Sequence, residues 1–306
     1  MPVLPNFFIV GAAKSGTSSL FHYLDSHPDV FMSRVKEPHY LCSDFFPDDF
    51  TGPGDEGFSE NTCRNREDYL QLFESGASVP VRGEASVYYL LYPGVAERIH
   101  ELNPDAKIVM VLRNPVDRAF SAYLHTTRDG RETLSFEDAL AAEQSRRDQG
   151  YQPLWWYREA GLYSEQVKRY LKVFPDDQMR IFLYEDLQDT ATVVREILTF
   201  LGVDTEVQID TSIHHNASGV PKSRWLYQFF SDKHPVKEML KPFFPKSIRH
   251  KLGEKAKSMV LEKTTMKPST RRRLTEYFQP DIGRLEALIG RDLSPWLADY
   301  SRVGVR

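Results

Sequence analysis

Hydrophobic and polar positions along the 306-residue chain follow two rhythms. Short, nearly unbroken apolar runs alternate with longer stretches whose apolar residues fall three or four apart. Phe7-Phe8-Ile9-Val10, Lys107–Leu112 (KIVMVL) and Arg180–Tyr184 (RIFLY) are runs of the first kind. Such runs mark strands covered on both faces. Ser18–Ser26, Val116–Arg128, Ser164–Val173 and Thr190–Leu201 carry the helical spacing, and Gly202 stands where the last of them should stop. Arg271–Leu297 is again helical in pattern. Strands alternating with helices predict an α/β fold: a central parallel sheet flanked by helices, with a C-terminal helical extension. Asp44–Asn65, rich in Asp, Gly, Pro and Phe and without a period, predicts a long loop. No internal repeat or low-complexity linker divides the chain. One domain over 1–306 is therefore expected, with a basic, mainly helical segment at about 222–306 as part of it.

Composition narrows the partners. With 41% hydrophobic and 27% charged residues, the chain is expected to fold around a core. A net charge of −4 gives no ground for a nucleic-acid partner. Cys42 and Cys63 form no CxxC or Cys/His metal spacing and read as two free thiols in a reducing compartment. The N-terminus, MPVLPNFFIVGAAKSG, lacks the basic n-region and the long apolar run of a signal peptide. Nothing approaches the roughly 18 apolar residues of a membrane span, so a soluble, cytoplasmic protein is expected. From Lys222 to Arg273 the chain holds fifteen Lys or Arg against four acids. That stretch suits an anionic acceptor, peripheral contact with a membrane surface, or a solvated helical face.

The chemistry begins where the first apolar run ends, in Gly11-Ala12-Ala13-Lys14-Ser15-Gly16-Thr17. If Thr17 or Ser18 opens a helix, Gly11 and Gly16 let the backbone turn tightly around an anion. The amides of residues 15 to 19 then point outward from a helix N-terminus, whose dipole favours negative charge. Lys14 adds a cation, and Thr17, Ser18 and Ser19 add hydroxyls. A Walker A loop would place its Lys after the last Gly, and an acid for Mg²⁺ would follow a later strand. Here KIVMVL is followed by Arg113-Asn114. KIVMVLRNPVDRAFSAYLH repeats the strand-turn-helix logic, with Arg113 just past the strand, Pro115 early in the helix and Ser121 farther along it. In a parallel sheet the two loops share one edge, so one ligand with two separated phosphate groups would use both.

Taken together, these segments resemble the sulfotransferases that use 3′-phosphoadenosine 5′-phosphosulfate (PAPS), in the branch that holds heparan sulfate sulfotransferases and their soluble bacterial relatives. The resemblance is carried by IVGAAKSGTSSL with His27–Val30, KEPHYL (Lys36–Leu41), GEASVYYL (Gly83–Leu90), VLRNPVDRAFSAY (Val111–Tyr123), YEDL (Tyr184–Leu187), NASGVPKSRW (Asn216–Trp225) and GRDLSPW (Gly290–Trp296). It implies a P-loop-like fold and PAPS as co-substrate, leaving adenosine 3′,5′-bisphosphate, with no metal required. It implies that Lys14, Ser15, Gly16, Thr17, Ser18 and Ser19 hold the 5′-phosphosulfate and that Arg113 and Ser121 hold the 3′-phosphate. Lys222 and Arg224 would reach the same phosphate from a loop in which Gly219 permits an unusual turn. Lys14 suits the leaving oxygen. Glu37 aligns with the family's catalytic Glu, and His39 is the rival base or an orienter.

At Glu84-Ala85-Ser86-Val87 the chain departs from the Glu-Lys-Thr/Ser-Pro common in heparan sulfate enzymes. Ala85 cannot supply that Lys charge, which weighs against a polyanionic glycan acceptor. Glu84 and Ser86 either face the cleft or end a strand. Arg118 reads as a phosphate neighbour or a helix-surface ion pair. Trp155-Trp156-Tyr157 and Tyr163 read as core more readily than as pocket. The acceptor stays open: a hydroxyl, or an amine, of a carbohydrate, lipid or small natural product. Two other readings stand beside this one. A variant P-loop small-molecule kinase would need Mg²⁺ and a Walker-type acid, and a non-catalytic bisphosphate binder would have no turnover to lose.

Overall fold

The computed structural model describes residues 2–211, 220–221, 261–262 and 265–298. Along the chain the elements are β1 (Phe7–Gly11), α1 (Thr17–Asp25), β2 (Val30–Met32), α2 (Arg66–Gln71), β3 (Val81–Ala85), α3 (Val95–Leu102), β4 (Lys107–Leu112), α4 (Pro115–Arg128), α5 (Phe136–Ala141), α6 (Glu143–Asp148), α7 (Tyr163–Leu171), β5 (Met179–Leu183) and α8 (Thr190–Leu201). The two-residue strands β6 (Val220–Pro221) and β7 (Leu261–Glu262) pair antiparallel, and α9 (Pro268–Ile289) and α10 (Ser294–Leu297) follow. Strands β1 to β5 form one parallel sheet in the order β2-β3-β1-β4-β5.

The three apolar runs are β1, β4 and β5. Two further strands escaped the rule for a physical reason. β2 is only three residues long, and β3 (VRGEA) is broken by Arg82, Gly83 and Glu84. Gly83 fits the sheet because its neighbours close over it: an added Cβ would lie 2.6 Å from both Met32 Sδ and Phe7 Cδ1. The expected loop at 44–65 holds no strand or α-helix, although short 3₁₀ turns span Tyr40–Phe45 and Ser59–Asn61.

Alternation along the central strands splits the core in two. Phe7, Ile9, Val109 and Val111 pack with Leu20, Phe21 and Leu24 of α1 and with Val193, Val194, Ile197 and Leu198 of α8. Phe8, Val10, Ile108, Met110 and Leu112 face the opposite layer, which includes residues of α3, α4, α7 and α9. Each fully buried large side chain there contributes about 1.5–3 kcal/mol. Trp155, Tyr157 and Tyr163 belong to this second core, as their aromatic character suggested.

The C-terminal helices are fastened to the sheet's carboxyl edge. α9 packs on α7 and α4, and Asp281 accepts hydrogen bonds from the backbone N–H and hydroxyl of Ser164. At the start of α4, Asn114 accepts from the Val116 N–H at 2.9 Å and donates to the Trp296 carbonyl at 3.1 Å. The Trp296 indole donates to Glu185 at 3.1 Å, and Arg291 pairs with Asp186 at 2.9 Å. GRDLSPW thus docks on YEDL. Among the described residues no helix is long and apolar enough to cross a membrane, and both cysteines are free.

Candidate active site

The loops that leave the carboxyl ends of β1, β2 and β3 meet over the sheet, with α4 and the 44–65 loop closing the sides. Between them lies a cleft of about 480 Å³. Lys14, Gly16, Thr17 and Ser18 line it on one side and Glu37 on another. The β1 loop is built as an anion nest. Gly16, at φ 91°, is the N-cap of α1; that helix has no side-chain cap and no acidic residue in its first turn. Its first N–H groups and its dipole therefore favour an anion. An added Cβ at Gly16 would meet Leu187 Cδ1 at 2.6 Å, in a backbone conformation that strains any other residue. Gly16→Ala is expected to lower the melting temperature by several degrees, corresponding to about 1–3 kcal/mol, and to weaken anion binding at the loop. Unchanged melting in a thermal scan would refute the tight fit.

Arg113 crosses from the β4 loop. Its Nη1 donates to the Lys14 carbonyl at 3.0 Å, and its guanidinium lies 4.3 Å from the centre of the Tyr184 ring. Sequence reasoning gave Arg113 to a ligand; the fold also makes it a brace for the phosphate loop. Lys14 is pushed down to about 8, first by burial and then by repulsion from Arg128, with Asp129 and Glu37 pulling partly the other way. At neutral pH it remains mostly an ammonium, weakly solvated and poised to gain from an anion.

Glu37 follows β2. Burial would raise its carboxyl, but nearby His39 and the Lys36 ammonium outweigh that and hold it at about 2. Its side chain is 29% exposed and its Oε2 stands 3.5 Å from His39 Nε2. His39 is 2% exposed. Its ring packs against Tyr88 (5.0 Å, 13°) and Phe58 (5.3 Å, 23°), whose rings also touch each other. It does not line the cleft, and its Nε2 faces Glu37. Among the described residues the only non-glycine residues with positive φ are Lys14 (70°), Glu37 (63°) and His39 (53°). Each such residue costs about 1–2 kcal/mol. Strain confined to the three candidate catalytic residues points to a function that requires it.

The remaining predicted residues are spread around this centre. Ser15 is fully buried beneath the loop. Ser19 lies in the first turn of α1 and Ser121 midway along α4, both half-buried and neither on the cleft wall. Lys222, Arg224, Gly219 and most of the basic stretch lie outside the described residues. Arg118 is neither a phosphate neighbour nor a surface ion pair: it is fully buried and donates to the Trp156 and Tyr157 carbonyls. Glu84 and Ser86 are also fully buried and do not face the cleft.

The cleft adds residues that the motifs did not signal. His125 of α4 lines it, pushed down to about 3 by burial and then by the charge of Lys14. Its Nδ1 lies 2.7 Å from Arg128 Nη2. Arginine only donates, so His125 is the neutral tautomer with its proton on Nε2. One turn beyond Ser121 was the signal that could have found it. Phe58, Gly54 and Glu56 form the opposite wall with Gln152 and Arg131. That wall is clasped by buried Asp55, which pairs with Arg131 and accepts from the Gln152 N–H and the Trp155 indole. Asp55 carries no motif; only the fold brings residues 55, 131 and 152 together.

Comparison with known proteins gives a concordant result. A family model described as "Sulfotransferase family" matches residues 5–207. Heparan sulfate glucosamine 3-O-sulfotransferase 6 of Homo sapiens is 29% identical over 218 residues, covering 70% of this chain and 56% of that protein. Bifunctional heparan sulfate N-deacetylase/N-sulfotransferase 2 of Bos taurus is 31% identical over 216 residues, 65% of this chain and 22% of that protein. The chain thus spans about half the length, or less, of these curated relatives. The crystal structure of a sulfotransferase from Alicyclobacillus acidocaldarius superimposes with a TM-score of 0.77 at 45% identity, covering 96% of this chain and 99% of that one. None of these matches favours a kinase.

Proposed function

The chain belongs to the sulfotransferase family, and from that premise we propose that it transfers the sulfuryl group of PAPS to a hydroxyl, or an amine, of a carbohydrate, lipid or small natural product. One observation carries this reading: Lys14, in the loop that leads into an uncapped helix N-terminus, and Glu37 line the same cleft. The loop Lys14–Ser18 binds the 5′-phosphosulfate. Arg113, braced on the loop, binds the 3′-phosphate with Ser121, and Lys222 and Arg224 join them. Lys14 stabilises the negative charge that grows on the leaving phosphate oxygen as the S–O bond breaks. Glu37 takes the proton of the acceptor hydroxyl as the new O–S bond forms. His39 orients Glu37. No step in this scheme calls for a metal.

The relatives named for heparan sulfate support a carbohydrate acceptor, while Ala85 at the family's Lys position favours one that is not polyanionic. The free thiols of Cys42 and Cys63 support a cytoplasmic setting. Peripheral membrane contact would use the basic segment.

Calorimetric titration with adenosine 3′,5′-bisphosphate, beside ATP and AMP, tests the donor site. Tight binding of the bisphosphate alone is expected, and a preference for ATP with Mg²⁺ would overturn the reading. Arg113→Ala should weaken that binding by about 10- to 100-fold, the loss of charged hydrogen bonds worth about 1.5–3 kcal/mol. An unchanged Kd would remove Arg113 from the donor site.

A further inference from the structure

Behind the Glu37 loop lies a buried polar cluster that touches neither side of the cleft. Glu84, at the end of β3, is fully buried. Three hydroxyls donate to its carboxylate: Tyr69 at 2.5 Å, Tyr89 at 2.9 Å and Ser86 at 2.7 Å. Two of these hydroxyls pass the connection onward. Ser86 Oγ accepts from the backbone N–H of His39 at 3.0 Å, and the Tyr89 oxygen accepts from the backbone N–H of Leu41 at 3.1 Å. One buried carboxylate thus fixes the main chain at positions 39 and 41 through two separate relays. Burial pushes Glu84 up to about 7, and its three donors offset this only in part.

The segment so fixed begins two residues after Glu37, and both Glu37 and His39 hold left-handed backbone conformations. A chain at liberty would leave those conformations. Pinning the N–H groups of residues 39 and 41 closes that route. The ring of Tyr88, next to Tyr89 in sequence, stacks on His39. The end of β3 and the turn that follows it therefore supply both the backbone anchors and a stacking surface for the residue that orients Glu37.

We propose that Glu84, acting through Ser86 and Tyr89, is the positioning residue that holds Glu37 and His39 in their reactive arrangement. The inference rests on Glu37 being the base. It assigns Glu84, Ser86 and Tyr89 the support of the base, while Val87 and Tyr88 of the same segment line the cleft.

Glu84→Gln tests this most directly but could unfold the chain, so Ser86→Ala and Tyr89→Phe, which each delete one hydroxyl, carry the experiment. The probe is PAPS in single-turnover hydrolysis, with water in the acceptor's place. Each variant should slow hydrolysis by about tenfold or more, as misplacement of a reacting group does, while the Kd for adenosine 3′,5′-bisphosphate stays within about twofold. In a Glu37→Gln background the further loss from Ser86→Ala should vanish, because the relay then has no base to position. A merely structural role would lower stability without that coupling. Hydrolysis at the wild-type rate in both single variants, or the same loss persisting without Glu37, would overturn the proposal. Should hydrolysis prove too slow to follow, carboxyl ¹³C NMR decides. Glu37 should remain ionised throughout the folded range in the wild type and titrate near the ordinary carboxylate value of about 4.3 in the variants; a Glu37 signal unmoved by both substitutions would refute the relay. A wild-type chain that fails to bind the bisphosphate would instead refute the donor reading itself, and this inference with it.

Discussion

Replacing Lys14 with Ala is expected to reduce sulfuryl transfer by about a hundredfold to a thousandfold, the usual loss when a preorganised electrostatic contact to a developing charge is removed. The buried setting explains the size. Lys14 is partly withdrawn from water, which lowers it to about 8, so its charge is screened less than that of an exposed lysine. The same value fixes a pH dependence. Between about pH 7, above which the ligand's phosphates (second pKa about 6) are ionised, and pH 8 the ammonium is present and donor binding should vary little with pH. As pH rises past 8 the free protein loses that proton, while binding an anion requires it. Affinity for adenosine 3′,5′-bisphosphate should therefore fall by up to tenfold per pH unit, the signature of one linked proton. Titration calorimetry from pH 7 to 10 measures it, and the slope above pH 8 should be absent in Lys14→Ala. A variant with near-normal turnover, or a slope that survives the substitution, would exclude Lys14 from the reacting centre.

The second large effect is expected at Glu37. Glu37→Gln keeps the shape and removes the proton acceptor, so turnover should fall by about 10²- to 10⁴-fold with the bisphosphate Kd nearly unchanged. Because the carboxyl is held at about 2, it is ionised at every pH where the protein works. The activity profile should therefore show no acid limb from this group down to about pH 4. His39→Ala should cost less, since the ring acts through Glu37. If His39→Ala is the dead variant and Glu37→Gln is active, the assignments of base and orienter must be exchanged.

Much of this site was legible because its parts are local. A strand, a glycine turn and a helix start are written in consecutive residues, so the Lys14–Ser19 and Arg113 loops could be placed before the sheet was seen. The end of α8 at Gly202 was equally plain, since Gly202 takes φ 77° there. Strands β2 and β3 were not legible: one is too short for periodicity, and the other owes its place to packing around Gly83. The orientation of polar residues was also hidden. In sequence Arg118 reads as a phosphate neighbour or a surface ion pair and Glu84 as a cleft residue or a strand end, yet both are fully buried. The partners they find are the Trp156 and Tyr157 carbonyls in one case and Tyr69, Ser86 and Tyr89 in the other. Such partners are set by the tertiary fold, as is the Asp55 clasp that joins residues nearly a hundred positions apart.

The left-handed backbones at Lys14, Glu37 and His39 have a consequence for engineering. Glycine at Lys14 or Glu37 would remove the steric penalty, so the substitutions most damaging to turnover are expected to raise the melting temperature, whereas at His39 the cavity left by the buried ring outweighs that gain. Heat tolerance and catalysis are then in opposition at residues 14 and 37. A library screened only for resistance to heating would tend to enrich inactive molecules there. Selection for a hardier enzyme should hold residues 14, 37 and 39 fixed and seek its gains elsewhere in the fold.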